Sequence, residues 1–226
     1  MSSPLAIVVG AGTGVGQATA LTLHRAGLIV VAVDRTEVGL KQLPDEIHRE
    51  VADATDPGVP GPLVKRIATK VGPPDILVNT IGAFELGDAL SVTAETLRRL
   101  MDVNLGAALW LTQAVAPHMQ ERGSGVIVHI VARPGLEPTP GYAAYGVSKA
   151  ALVHLVRILD VELRPHGIRV NAVAPQIIAT EKNKALFPPE MMAAAVEPET
   201  IADVVAFLVS DAAASVSGAV VPAYGG

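Results

Sequence analysis

Leu5-Ala-Ile-Val-Val9, running without a break into Gly10-Ala-Gly12-Thr13-Gly14-Val15-Gly16, is the stretch that decides the fold of this chain. Five apolar residues in a row are too few for a helix of ordinary length, and they suit a strand buried on both faces. Glycines at alternate positions then let the backbone turn tightly and leave it open to close approach by a charged group. A helix-period segment, Gly16–Ala26, follows the turn. Strand, glycine turn and helix in immediate succession form the opening unit of a β-α-β architecture.

The rest of the chain repeats the alternation. Apolar runs at Leu28–Val33, Ile76–Asn79, Val126–Val131, Ile168–Val173 and Ala219–Pro222 read as further strands. Helical patterns lie between them at Gly61–Val71, Ala94–Arg122, Ala143–Arg164 and Pro198–Ser210. The strands are continuous rather than alternating blocks, the mark of a parallel sheet covered on both faces. The expected fold class is therefore α/β, a Rossmann-type doubly wound parallel sheet of about seven strands with helices on both faces. The Pro/Gly-rich piece 56–62 is too short to be a linker, so residues 1–226 are expected to form one domain.

Composition narrows the function. Half of the 226 residues are hydrophobic and 17% are charged, which excludes a disordered chain. The net charge is −5 with no basic cluster, which argues against a nucleic-acid partner. No apolar run reaches membrane-spanning length; the stretch 105–117 is interrupted by Thr112 and Gln113. Met-Ser-Ser-Pro at the start lacks a basic leader, and without cysteine there is neither a disulfide framework nor a thiolate metal site. These features predict a cytoplasmic protein with no metal centre.

The glycine turn, placed between the first strand and the first helix, is suited to a dinucleotide pyrophosphate held at the helix N-terminus. Gly10, Thr13, Gly14, Val15 and Gly16 are its candidate contacts. Asp34 ends the second strand, about 20 residues on, where a carboxylate accepts hydrogen bonds from the adenosine ribose. The same charge repels a 2′-phosphate, so NAD is favoured over NADP. Arg35 is placed beside the adenine.

Tyr145-Gly-Val-Ser-Lys149 puts a phenol and an ammonium one turn apart on a helix. A nearby cation is expected to lower the tyrosine pKa from roughly 10 and make the phenol a usable acid or base. Taken alone, the pair is equally a solvated helix face.

With the glycine turn and this pair in one α/β chain, the sequence resembles the short-chain dehydrogenase/reductase family over nearly its whole length. Val9-Gly10-Ala-Gly-Thr-Gly14-Val-Gly16 follows the family's Thr-Gly-x-x-x-Gly-x-Gly with valine for threonine. Asp53-Ala54 resembles its adenine-contacting Asp-Val, and Asn79-Thr-Ile-Gly82 its Asn-Asn-Ala-Gly. Asn104 matches its catalytic asparagine. The run from Ile168 to Pro175 is also close, although Gln176 replaces the following glycine, while Thr180 stands at the usual threonine. The closing segment 217–226 keeps a Gly-Gly ending but has Tyr224 in place of aspartate.

The resemblance implies hydride transfer between nicotinamide and a carbonyl or alcohol carbon of a small molecule. Tyr145, Lys149 and Asn104 are then catalytic, Tyr145 and Lys149 also contact the cofactor, with Lys149 on the nicotinamide ribose, and Pro175, Ile178 and Thr180 lie against the nicotinamide. A substrate lid is expected around 177–197, with Phe187, Met191 and Met192 as apolar lining. A homotetramer or dimer is also implied, through the long helices.

One position departs seriously. The family's catalytic serine falls at Ala132, between Val131 and Arg133. Losing a preorganised donor of that kind costs on the order of 3 kcal/mol, or 10²–10³ in rate. Arg133, Thr139, Tyr142 and Thr80 carry donors near the expected cleft, whereas His129 and Ser148 read as structural. The loss leaves open an NAD-binding protein with little or no turnover, a regulator or silent subunit. A non-redox dehalogenase or lyase on the same fold is a third possibility.

Overall fold

The computed structural model describes residues 3–225; Met1, Ser2 and the final Gly226 of the Gly-Gly ending lie outside the described residues. Seven strands are present: β1 (Leu5–Val9), β2 (Ile29–Asp34), β3 (His48–Val51), β4 (Ile76–Asn79), β5 (Gly125–Ile130), β6 (Ile168–Pro175) and β7 (Val220–Ala223). They form one sheet in the order β3-β2-β1-β4-β5-β6-β7, each neighbouring pair parallel. Nine α-helices connect them among the described residues: α1 (Gly14–Arg25), α2 (Glu37–Leu40), α3 (Pro60–Lys70), α4 (Ala94–Met101), α5 (Ala107–Arg122), α6 (Ala143–Leu163), α7 (Glu181–Leu186), α8 (Pro189–Met192) and α9 (Pro198–Val209). This is the doubly wound α/β class expected.

All of β1 is buried, and its alternation divides the core. Leu5, Ile7 and Val9 pack with Leu63 and Ile67 of α3, Leu111 and Val115 of α5, and Leu152 and Val156 of α6. Ala6 and Val8 face the other way, toward Leu23 of α1 and Ile201, Val205 and Leu208 of α9. Each such side chain, fully buried, stabilises the fold by about 1.5–3 kcal/mol. Two-sided coverage is why these strands read as unbroken apolar runs.

Two elements differ from the sequence expectation. β3 is none of the apolar runs: His-Arg-Glu-Val lies at the sheet edge, half-buried or exposed, paired only with β2. An edge strand covered incompletely carries no apolar signature. The expected continuous helix Ala94–Arg122 is instead α4 and α5 joined by a π-helical turn, Asp102–Gly106. The wider turn carries Asn104 inward, where its side chain bonds both the N–H and the C=O of Ala83. Those bonds compensate for the interrupted i→i−4 ladder, and such bulges recur at functional sites.

The chain reverses its direction of winding at β1, going outward to β2 and β3 and then returning to β4 on the other side. The crevice beyond the carboxyl ends of β1 and β4 is the place where doubly wound sheets bind ligands.

Candidate active site

The nucleotide side of that crevice is built largely from backbone. Gly10 and Gly14 have positive φ, +84° and +54°, in the region that favours glycine. At Gly16 a side chain is excluded by packing: a Cβ would lie 2.0 Å from the carbonyl oxygen of Gly10. Thr13 precedes α1 without capping it, which leaves the N–H groups of the first helical turn open. The Val15 side chain is in the core, so this residue offers its N–H alone. Thr180 stands over the turn, with its Cγ2 3.2 Å from where a Gly14 Cβ would be.

Asp34 is fixed by the same turn. Its Oδ2 accepts from the Gly12 N–H at 3.0 Å. Its Oδ1 accepts from the Thr36 N–H at 3.1 Å and hydroxyl at 3.3 Å. A side chain on Gly12 would collide with this carboxylate at 2.8 Å. Arg35 is exposed beside it. Asp53 is exposed, and its Oδ1 accepts from the Thr55 hydroxyl at 2.6 Å and N–H at 3.0 Å. Those bonds, the hydroxyl's first, hold its pKa below the ordinary aspartate value. Ala54 is buried. Asn79 is buried too, with Oδ1 accepting from the Ile81 N–H at 3.0 Å and Nδ2 3.4 Å from His129. Its side chain is thus committed within the protein, and only its backbone is left for a ligand.

At the reaction side, Tyr145 and Lys149 leave the same face of α6. Tyr145 lines a cavity of about 360 Å³, together with Phe84, Tyr142, Phe187, Arg133 and Gln176. Its ring meets Phe84 edge-on, with centroids 4.9 Å apart. The chain has three phenylalanines and three tyrosines in all. Four of those rings line this one cavity, and a fifth, Tyr224, lies against Arg133. Of the lid candidates, Phe187, Met191 and Ile178 line the cavity and Met192 does not. The segment that carries them is pinned at both ends, with the Val196 N–H on the Ile177 carbonyl at 2.7 Å and the Ala179 N–H on the Val196 carbonyl at 2.9 Å. Pro175, where β6 ends, is buried just before it.

Lys149 is buried behind the tyrosine and donates to the Ile130 carbonyl at 2.9 Å. That bond uses one of its three N–H groups, and no other acceptor for it is found among the described residues. A Cβ on Gly82 would lie 3.2 Å from Lys149 Nζ and 3.3 Å from Asn104 Oδ1, so the absent side chain keeps open a passage between the two. Asn104 is held from a third direction, its Nδ2 donating to Ser148 Oγ at 2.9 Å. Ser148 in turn donates to the Tyr145 carbonyl at 2.7 Å. Ser148 does face away from the cavity, as its place on the helix predicts, but its hydroxyl couples Asn104 to the turn that carries Tyr145. Residue type and spacing alone did not reveal that role.

The expected depression of the tyrosine pKa by Lys149 is not found. Burial pushes the Tyr145 phenol above its ordinary value, and Tyr142 beside it adds to the rise. Burial also pulls Lys149 down, to about 8. Desolvation disfavours the charged form of each group, and neither group is a cause of the other's shift. His129 is fully buried between Asn79 and Thr112, its pKa pulled to about 3 by burial first and by Lys149 second. It is a neutral structural histidine.

Of the donors considered as replacements for the missing serine, Thr80 is excluded. Its hydroxyl bonds the Val9 and Gly10 carbonyls at 2.8 and 3.3 Å and ties β4 to the glycine turn. Arg133, Thr139 and Tyr142 do line the cavity, while Ala132 is buried and offers only a methyl.

The open N–H groups of α1, the Asp34 carboxylate and the part-satisfied Lys149 ammonium form a donor and acceptor set that fits a dinucleotide. Known proteins match in the same sense. A family model for the short chain dehydrogenases matches residues 4–191. L-xylulose reductase of Bos taurus is 35% identical over 240 residues, covering 98% of this chain and 95% of the relative. Carbonyl reductase [NADPH] 2 of Sus scrofa is 35% identical over 224 residues, covering 94% and 91%. A solved 7α-hydroxysteroid dehydrogenase, complexed with NADH and 7-oxo glycochenodeoxycholic acid, superposes with a TM-score of 0.93 at 32% identity, covering 99% of this chain and 93% of that one.

Proposed function

Because the chain belongs to the short-chain dehydrogenase/reductase family of oxidoreductases, we propose that it is an NAD-dependent enzyme that interconverts a small carbonyl compound and its alcohol, with residues 1–226 as one cofactor-binding and catalytic domain. The observation that carries this reading is Lys149. A lysine left 3% exposed, with one protein acceptor, is costly unless a ligand completes its bonds.

A bound nicotinamide supplies or accepts the hydride; every other task falls to the chain. Gly10, Thr13, Gly14, Val15 and Gly16 hold the pyrophosphate. Asp34 binds the adenosine ribose, with Arg35, Asp53, Ala54 and Asn79 around the adenine half, and Pro175, Ile178 and Thr180 cover the nicotinamide. Tyr145, a phenol protonated at neutral pH whose pKa burial raises further, donates to the substrate oxygen during reduction. Lys149 holds the nicotinamide ribose and, with a pKa of about 8, passes protons on. Asn104 fixes a water in the passage beside Gly82, which connects Lys149 to solvent. The segment 177–197 closes over the substrate.

One relative is named for NADPH and one solved neighbour is complexed with NADH, so the preference for NAD rests on Asp34, whose charge opposes a 2′-phosphate. The enzyme works in the cytoplasm, without nucleic acid or membrane; among the described residues no helix is long and apolar enough to cross a bilayer. It assembles as a homotetramer or dimer through the outer face of α6, where Val147, Ile158 and Val161 are exposed; a monomer in analytical ultracentrifugation would remove that expectation.

The deciding experiment follows NADH and NADPH oxidation with pooled carbonyl compounds, for the unaltered chain and for Tyr145→Phe. Turnover that depends on Tyr145 is expected. A second reading, cofactor binding with little or no turnover, is favoured by Ala132. Tight NADH binding by titration calorimetry, with no oxidation across the panel, would establish it.

A further inference from the structure

Two departures from the family pattern, Gln176 and Tyr224, meet at Arg133, which lines the cavity together with Gln176. Arg133 follows β5, Gln176 follows β6 and Tyr224 follows β7, and these strands are neighbours. The Arg133 guanidinium lies 4.9 Å from the centroid of the Tyr224 ring. Its Nε donates to Glu137 Oε2 at 2.9 Å and its Nη1 donates to Gln176 Oε1 at 3.0 Å. Ring stacking and two directed bonds hold this arginine in one place.

The arginine thereby orients the glutamine. A guanidinium has donors only, so the carboxamide must turn its oxygen toward Arg133 and its NH₂ away from it. That NH₂ makes no hydrogen bond among the described residues, and Gln176 shares the cavity with Tyr145. Ile130 is opposite Val173 and the Val131 N–H bonds the Val173 carbonyl, so the segments carrying Ala132 and Gln176 leave adjacent strands at the same end of the sheet.

We propose that Gln176 is the substrate-oxygen donor of this enzyme, its carboxamide N–H replacing the hydroxyl absent at Ala132, with Arg133 as the positioning residue that fixes the amide. The assignment rests on the reading of Tyr145 as the proton donor. Gln176 holds the carbonyl oxygen toward the phenol and stabilises the charge that develops there.

The test is steady-state carbonyl reduction by Gln176→Glu, with and without Ala132→Ser, and by Tyr145→Phe. Glutamate keeps an oxygen for Arg133 at the same length but presents an acceptor where the N–H was. Expected is a fall in kcat of roughly 10²–10³ for Gln176→Glu, with the NADH dissociation constant, read by fluorescence, within about threefold of the parent. Adding Ala132→Ser is expected to raise kcat at least about tenfold more in the Gln176→Glu background than in the parent, because one donor suffices. Arg133→Met is expected to lower kcat by a smaller factor and to be rescued by the same serine. Should Gln176→Glu lose stability, Gln176→Met removes both polar atoms at similar volume and must show the same loss and rescue. Parental kcat in the Gln176 variants, or an equal gain from the serine in both backgrounds, overturns the assignment while leaving Tyr145 in its role. Turnover indifferent to Tyr145→Phe, or absent from the unaltered chain, overturns the underlying reading instead.

Discussion

The two sides of the crevice are built by different means. The nucleotide side is a short local structure: a strand end, a glycine turn and the first turn of α1, with Asp34 locked to the Gly12 N–H. Its working groups are mainly backbone N–H groups, which any sequence supplies once the turn is permitted. The reaction side is assembled from side chains on the turn after β5, α6, the turn after β6 and the π-turn at Asp102–Gly106. There, the proposed chemistry depends on side-chain identity, and Ala132 offers only a methyl where the family resemblance places a serine. A backbone site tolerates drift in side chains but not in glycines, whereas a side-chain site can lose one donor and acquire another from an adjacent strand.

Mutations should separate the two sides. Tyr145→Phe has the largest expected effect, a loss in kcat of roughly 10²–10⁴ with NADH affinity little changed, since the proposed proton donor is removed and the ring kept. Gly16→Ala should do the reverse. Its new Cβ would sit 2.0 Å from a backbone oxygen that cannot yield, and such overpacking costs about 1–3 kcal/mol. Weaker NADH binding and a lower melting temperature are expected, with little change in kcat at saturating cofactor; an intact dissociation constant would break the division drawn here.

His129 lies beneath the reaction side and tests its scaffold. Its folded pKa, about 3, is below the unfolded value of roughly 6.5. The unfolded chain therefore binds the extra proton first, and stability falls as pH drops from about 6.5 toward 3, by up to about 1.4 kcal/mol per pH unit. His129→Gln should flatten that slope in acid denaturation followed by circular dichroism. Asp34→Ser should produce a smaller change, a shift of roughly tenfold, about 1.4 kcal/mol, in the NADH:NADPH affinity ratio toward NADPH. An unchanged ratio would mean that Asp34 does not set cofactor choice.

Much of the architecture was legible because the central strands are buried on both faces and cannot avoid an apolar signature. β3 was not, since His48–Val51 lies at the edge and half of it faces water. The break at Asp102–Gly106 was hidden for another reason: Asn104 leaves the helical pattern to bond Ala83 and Ser148, groups remote in sequence. The Tyr145/Lys149 spacing was plain, but the direction of the tyrosine's pKa was not. Spacing reports that a cation is on the same helix face; only burial shows that desolvation sets the direction of the tyrosine's shift.

Local order along the chain determined the parallel α/β sheet, the glycine turn, the acidic residue after β2 and the pairing of Tyr145 with Lys149. Each depends on residues within a turn or a strand of one another, where period and stereochemistry act directly. The tertiary structure alone decided that Ser148 steadies Asn104, that Thr80 is committed to the turn, and that Arg133 meets both Gln176 and Tyr224. Those contacts join residues more than 20 positions apart, and the order of strands across the sheet brings them together.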